Sequence, residues 1–132
     1  MNLKITREDP HLTMVEISGN VVGEVATIGR DPLAQEFGSE IYSKQVAFSL
    51  RNSEYADSSG VGWLVALHER FEANGGRLYL HSPRPALRRL LQTMRMDLIL
   101  NLLSDEAEVQ KRVADSAASS SDSTENSNDK VD

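Results

Sequence analysis

Two short apolar runs, QVAFSL from Gln45 to Leu50 and RLYLH from Arg77 to His81, constrain this chain more than any other feature. Each has the length of a buried strand, and between them lies one helix-length segment. That segment, VGWLVALHERFEAN, sets Val61, Leu64, Leu67 or His68, and Phe71 at helical spacing and ends at Gly75-Gly76, as a helix C-terminus does. After the second run the prolines of SPRP suit a first helical turn, and Leu87, Leu90, Leu91 and Met94 form one face of the helix that follows. Two strands joined by a helix and followed by another helix imply an α/β layer architecture, a mixed sheet with helices packed on it.

The flanks extend the pattern. HLTMVEISG, from His11 to Gly19, alternates Leu12, Met14 or Val15, and Ile17 with polar neighbours and reads as a half-buried strand. Between Gly19 and Gln45 only Pro32 to Phe37 looks helical, which predicts a short helix after a long loop. A short strand is expected from Leu98 to Leu102 and a last helix from about Asp105 to Val113. The expected fold is a single domain over residues 1–114, with a sheet of about four to five strands and helices mainly on one face.

From residue 115 onward DSAASSSDSTENSNDKVD holds one aliphatic side chain of any size, Val131, among serines, acids and asparagines. Such a stretch cannot bury enough apolar surface to offset the entropy of ordering it, so residues 115–132 are expected to form a disordered, solubilising tail whose serines are open to modification. The tail also concentrates the charge: Asp115, Asp122, Glu125, Asp129 and Asp132 against Lys130 account for most of the formal −6, leaving the rest nearly balanced. No basic stripe with interleaved aromatics marks a nucleic-acid surface, and no direct nucleic-acid contact is expected. The absence of cysteine removes disulfides and thiolate metal sites and suits a reducing compartment. No run approaches the roughly 20 apolar residues that span a bilayer, and MNLKITREDPH lacks the apolar stretch of a signal peptide. A cytoplasmic protein without membrane insertion is expected.

Between the first apolar run and its helix stands EYADSSGVGW, from Glu54 to Trp63. Asp57, Ser58 and Ser59 are all good helix caps, because each side chain can accept a hydrogen bond from an unpaired amide of the first turn. A cap explains the composition without any further role. Gly60 and Gly62 let the turn bend tightly and let a partner's backbone approach. Trp63, the only tryptophan, lies about 100° around the helix from Leu64. It is read either as a partly exposed contact anchor or as packed against a neighbouring helix.

The run VAFSLRNSEYADSSGVGWLVALHERFEANGGRLYLHSPRPALRRLL resembles the STAS domain of bacterial anti-sigma factor antagonists. It carries, in the family's order, a core strand, an Asp-Ser-Ser-Gly-Val-Gly motif, a helix ending in Gly-Gly, a strand, and a proline-started helix with the basic pair Arg88-Arg89. The resemblance covers roughly Val46 to Leu103 well and the first strand less well. Three features differ from the family pattern: Gly19 is followed by Asn20-Val21-Val22 with no acid until Glu24, the first helix is short, and Arg95 stands where a helix-ending glycine is common. The resemblance implies partner switching in transcription regulation, in which an anti-sigma factor with serine kinase activity phosphorylates Ser58. The unphosphorylated form binds that factor, the phosphorylated form releases it, and a phosphatase restores the first state. On this resemblance Asp57 has a second reading, as a group that orients the Ser58 hydroxyl toward an incoming phosphoryl group. A phosphate on Ser58 would sit at a helix N-terminus, where free amides and the helix dipole accept an anion, and so would leave the fold intact. The resemblance also implies that Asp57, Ser58, Ser59, Gly60, Val61, Gly62 and Trp63 form the partner-binding segment, with no catalytic residue, no cofactor and no metal.

Two other functions compete. The same fold serves as a non-phosphorylated interaction subunit of larger complexes, such as lipid-transport or stress-sensing assemblies. A serine hydrolase would need a base beside its nucleophile, and Asp-Ser-Ser-Gly is not the Gly-x-Ser-x-Gly elbow, so a triad through His68 or His81 is unsignalled. His11, His68 and His81 lack the spacing of a helical metal site and are read as satisfied polar groups. Arg84, Arg88 and Arg89 are read as the solvated face of their helix, open to acids on a kinase.

Overall fold

The strand that sequence periodicity passes over is the first. A computed structural model of the chain describes residues 2–21 and 32–125, with residues 32 and 117–125 as backbone alone. It opens on β1 (Asn2–Glu8), which pairs antiparallel with β2 (Thr13–Ser18) through the tight turn closed by the Asp9 amide donating to the Leu12 carbonyl at 2.9 Å. Only Leu3 and Ile5 are half-covered in β1, so this edge strand carries too little apolar signal for its period to stand out.

The remaining strands are β3 (Gln45–Asn52), β4 (Arg77–His81) and β5 (Asn101–Leu103). They join β2 in parallel, in the order β1-β2-β3-β4-β5. The helices between them are α1 (Pro32–Phe37), α2 (Ser58–Ala73) and α3 (Pro85–Thr93). Because the strand order never reverses and parallel crossovers are right-handed, all three crossover helices must lie on one face of the sheet. They do: Leu33, Leu64, Phe71, Leu87 and Leu91 pack with Val15, Ile17, Val46, Phe48, Leu50, Leu78 and Leu80 in the main core. Each such side chain contributes on the order of 1.5–3 kcal/mol by burial.

The last helix, α4 (Glu106–Glu125), has no further strand to cross to and covers the opposite face. There Val109 and Val113 pack on Met14, Ala47, Tyr79 and Leu103, the residues alternating with the main-core set along β2 to β5. The mixed sheet has five strands, within the expected four to five, and its helices lie mainly on one face, as expected.

Two boundaries differ from the sequence reading. The strand expected at 98–102 forms at Asn101–Leu103, while Met96–Leu98 makes a 3-10 turn. The apolar run LILNLL has no period that separates the two. The final helix does not stop near Val113 but continues to Glu125. No glycine or proline interrupts DSAASSSDSTE, although the last side chain of α4 shown buried is Val113. Of the tail assigned to residues 115–132, the segment 126–132 lies outside the described residues, as does the loop at 22–31.

Candidate functional site: the capped N-terminus of α2

Among the three candidate caps, the fold selects Asp57. Its backbone is extended (φ −90°, ψ 175°), and its Oδ1 accepts from the Gly60 amide at 2.7 Å. The Asp57 carbonyl also accepts the first intrahelical bond, from the Val61 amide at 2.9 Å. Ser58 and Ser59 consequently fall inside the first helical turn, with both side chains exposed. A helix start capped one residue earlier leaves the two hydroxyls free of capping duty.

The loop that delivers the motif is fastened to the end of β2. Ser53, fully buried, donates its hydroxyl to the Gly19 carbonyl at 2.8 Å, with the Ile17 carbonyl at 3.4 Å. Val21 then forms an isolated parallel bridge with Ala56: its amide donates to the Tyr55 carbonyl at 2.9 Å, and its carbonyl accepts from the Asp57 amide at 3.1 Å. Sequence reasoning missed Ser53 and Val21. A buried serine before an acidic turn carries no periodic signal, and the partner of Val21 lies in another element.

The two glycines of the motif separate on contact. A Cβ on Gly60 would stand 2.1 Å from the Val21 carbonyl oxygen, so close approach of the β2 extension requires glycine there. A Cβ on Gly62 would meet nothing within 4 Å, and the residue is exposed. The fold therefore accounts for Gly60 and leaves Gly62 without an internal reason.

Trp63 is only 7% exposed and belongs to the main core, which corrects the reading of it as an exposed anchor and agrees with the packing alternative. The exposed aromatic beside the motif is Tyr55, at 53%. Sequence patterning passed over it because it precedes the cap rather than lying on the helix. Around it, Arg84 donates through Nε to the Arg51 carbonyl at 2.8 Å and approaches Glu54 at 3.6 Å, a solvent-exposed pair of small energetic weight.

The histidines also depart from expectation. His81 is buried, with Nδ1 2.9 Å from the Ser82 hydroxyl, and its Nε2 has no hydrogen-bond partner among the described residues. The Nδ1 of His68 is likewise buried and unpartnered among them. Neither stands beside Ser58. His68 is ten positions along α2, roughly 15 Å at the helical rise, and His81 lies on the sheet face opposite α2. His11 sits in the β1–β2 turn, at the other end of the sheet.

Among the described residues no group of three or more His, Asp or Glu side chains could hold a metal ion, and no helix is long and apolar enough to cross a membrane.

The β3–α2 junction of this mixed α/β sheet thus presents two exposed hydroxyls at a capped helix start. The STAS domain family model matches residues 4–109, and the chain belongs to that family. Among solved structures, a candidate anti-sigma factor antagonist from Thermotoga maritima is 22% identical with a TM-score of 0.70, covering 86% of this chain and 93% of its own. The anti-sigma factor antagonist SpoIIAA in its unphosphorylated form is 18% identical with a TM-score of 0.58, over 86% of this chain and 96% of its own. The murine Solute Carrier 26 family member A9 anion transporter is 11% identical with a TM-score of 0.67, over 82% of this chain but 18% of its own. At these identities the likenesses establish the fold. No curated protein matches the chain. Proteins of this family are in general binding proteins rather than enzymes.

Proposed function

We propose that this chain is an anti-sigma factor antagonist whose binding to an anti-sigma factor with serine kinase activity is switched by phosphorylation of Ser58 and reset by a phosphatase. The observation that carries the reading is the division of labour at the start of α2. Asp57 holds the cap, so Ser58 is exposed and structurally dispensable. A phosphate there would add about −1.5 to −2 charges beside first-turn amides that tolerate an anion. The domain would keep its fold, and the partner would meet new charge and bulk. SpoIIAA, which shares the fold, is known in both unphosphorylated and phosphorylated forms.

In this scheme the surface that meets the partner comprises Asp57, Ser58, Ser59 and Gly62, extended by Tyr55, whereas Gly60 and Val61, also expected in the segment, are buried and support it from within the domain. Trp63 contributes by packing the helix from beneath. Exposed Gly62 lets the partner's backbone come close, a role that needs no contact within the domain. A serine hydrolase is disfavoured by the positions of all three histidines, none of which can serve Ser58 as a base.

Incubation with ATP and a serine kinase encoded beside the gene should label a peptide containing Ser58, and Ser58→Ala should abolish the label. Absence of labelling, or labelling that persists in Ser58→Ala, rejects the switch. The second reading, a non-phosphorylated STAS part of a larger assembly, draws on the fold's occurrence as 18% of an anion transporter chain. Co-purification with a transport complex and no kinase in the same operon would favour it.

A further inference from the structure

Among the described residues three large apolar side chains are exposed, and two of them are neighbours: Leu98 at 75% and Ile99 at 47%. The third, Tyr55, belongs to the surface around Ser58. Leu98 and Ile99 stand where α3 hands over to β5. Because α3 runs back from the C-terminal ends of the parallel strands, this handover lies at the opposite end of the sheet from the start of α2.

Single exposed aliphatic side chains are ordinary on a protein surface. Here the backbone holds two of them in place. Arg95 takes the left-handed conformation (φ 61°, ψ 27°) that a non-glycine residue adopts at a cost, and it turns the chain out of α3. The Leu98 amide then donates to the Arg95 carbonyl at 3.2 Å, and the Met96 carbonyl accepts from the amides of Ile99 at 3.1 Å and Leu100 at 2.8 Å. Met94 and Met96 pack on the main core on either side of Arg95, and Leu100 is buried after Ile99. The turn is thus anchored at both ends, and a fixed backbone lowers the ordering cost of an association through its tips.

The charges of the turn suit one kind of partner. Arg95 and Asp97 are both exposed, two residues apart, and neither forms an ion pair among the described residues. An anionic membrane or an acidic protein would call for cations alone, and Asp97 beside Leu98 opposes both. Arg88 and Arg89 lie more than a turn back along α3. A surface with one cation and one anion beside an apolar centre is complementary to itself under a two-fold rotation. Next to it β5, three residues long, forms the edge of the sheet, and no strand among the described residues lies beyond it.

We infer that this turn is the interface of a homodimer, in which Leu98 and Ile99 of one copy pack on those of a second across a two-fold axis and Arg95 of each copy pairs with Asp97 of the other. The patch is smaller than a standard interface, so the dimer is weak, with a Kd on the order of 10–100 μM. Both Ser58 ends stay clear of the axis, and the inference does not rest on the role proposed for Ser58.

The test is sedimentation equilibrium of the full chain from about 1 μM to about 1 mM, which should show a reversible monomer–dimer equilibrium. Leu98→Asp should weaken the dimer about tenfold or more, while melting as the parent does at about 1 μM, where both are monomers. Arg95→Asp and Asp97→Arg each set like charges across the axis, twice over by symmetry, and should each weaken it about tenfold. The double variant restores opposite charges and should recover the parent's affinity within about threefold. A chain that stays monomeric up to about 1 mM overturns the assignment, and flotation of that monomer with phosphatidylserine vesicles would give the turn to a membrane instead. A dimer indifferent to Leu98→Asp, or a double variant no tighter than the single ones, overturns it equally.

Discussion

The carbonyl oxygen of Val21 stands 2.1 Å from the position a Cβ would take on Gly60, so the extension of β2 and the first turn of α2 are in direct backbone contact. This contact and the Val21–Ala56 bridge fix where Ser58 is presented. Gly60→Ala should therefore destabilise the domain by about 1–3 kcal/mol, the usual cost of forcing atoms into filled space. Denaturant unfolding checks it, and a neutral result would show that the approach can relax.

Gly62 should behave in the opposite way. With open space around its Cβ position in a helix, Gly62→Ala should raise stability by up to about 1 kcal/mol through helix propensity alone. If a partner's backbone approaches at this point, the same variant should bind the anti-sigma factor more weakly. Stabilised protein with undiminished binding would remove Gly62 from the interface.

Trp63 and Tyr55 should separate folding from binding. Trp63→Ala empties a core position and should cost about 3–5 kcal/mol. Tyr55→Ala, at an exposed position, should change stability by less than about 0.5 kcal/mol and weaken partner binding by about 1–2 kcal/mol. Paired melting curves and binding isotherms would decide it, and a stable Trp63→Ala protein would contradict the packing described above.

Arg95 adopts φ 61°, ψ 27°, the left-handed conformation that ends α3 and that glycine takes without strain. The backbone turns as a glycine would turn it, with an arginine in the position. Arg95→Gly should stabilise the fold by about 0.5–1 kcal/mol, the relief of strain being partly offset by the more flexible unfolded chain. A lower melting temperature for this variant would mean that the arginine side chain contributes a contact that outweighs the strain.

His81 sets a pH dependence. Burial pushes its imidazolium below the usual 6.5; Arg51 acts in the same direction, while Glu106 and Asp105 oppose it. The unfolded chain therefore takes up the proton first as pH falls. This contribution to stability is whole above about 6.5 and declines as pH drops from there toward the lowered folded value. Urea midpoints between pH 7.5 and 5 should fall more for the parent than for His81→Leu, and parallel curves would show that His81 does not govern the slope.

The legibility of this protein in its sequence follows from range. Leu64 and Phe71 mark α2, Gly75-Gly76 marks its end, and the three candidate caps Asp57, Ser58 and Ser59 bracket its start, because each of these signals operates within a turn or two of the residue that carries it. The order of strands and helices then forces three crossover helices onto one face, since right-handed connections leave no alternative when the strand order never reverses. Other features depend on partners brought together only by the fold. Whether Trp63 faces core or solvent is decided by the sheet beneath α2. Gly60 differs from Gly62 because Val21 arrives beside one and not the other. His81 reads in the chain as the polar end of a strand. Only the pairing of β3 with β4, and the covering of one face by α4, bury its ring with a nitrogen unspent. Local propensity and capping act within a few residues and are written in sequence. Burial and close approach belong to pairs of distant segments, and the tertiary structure alone decides them.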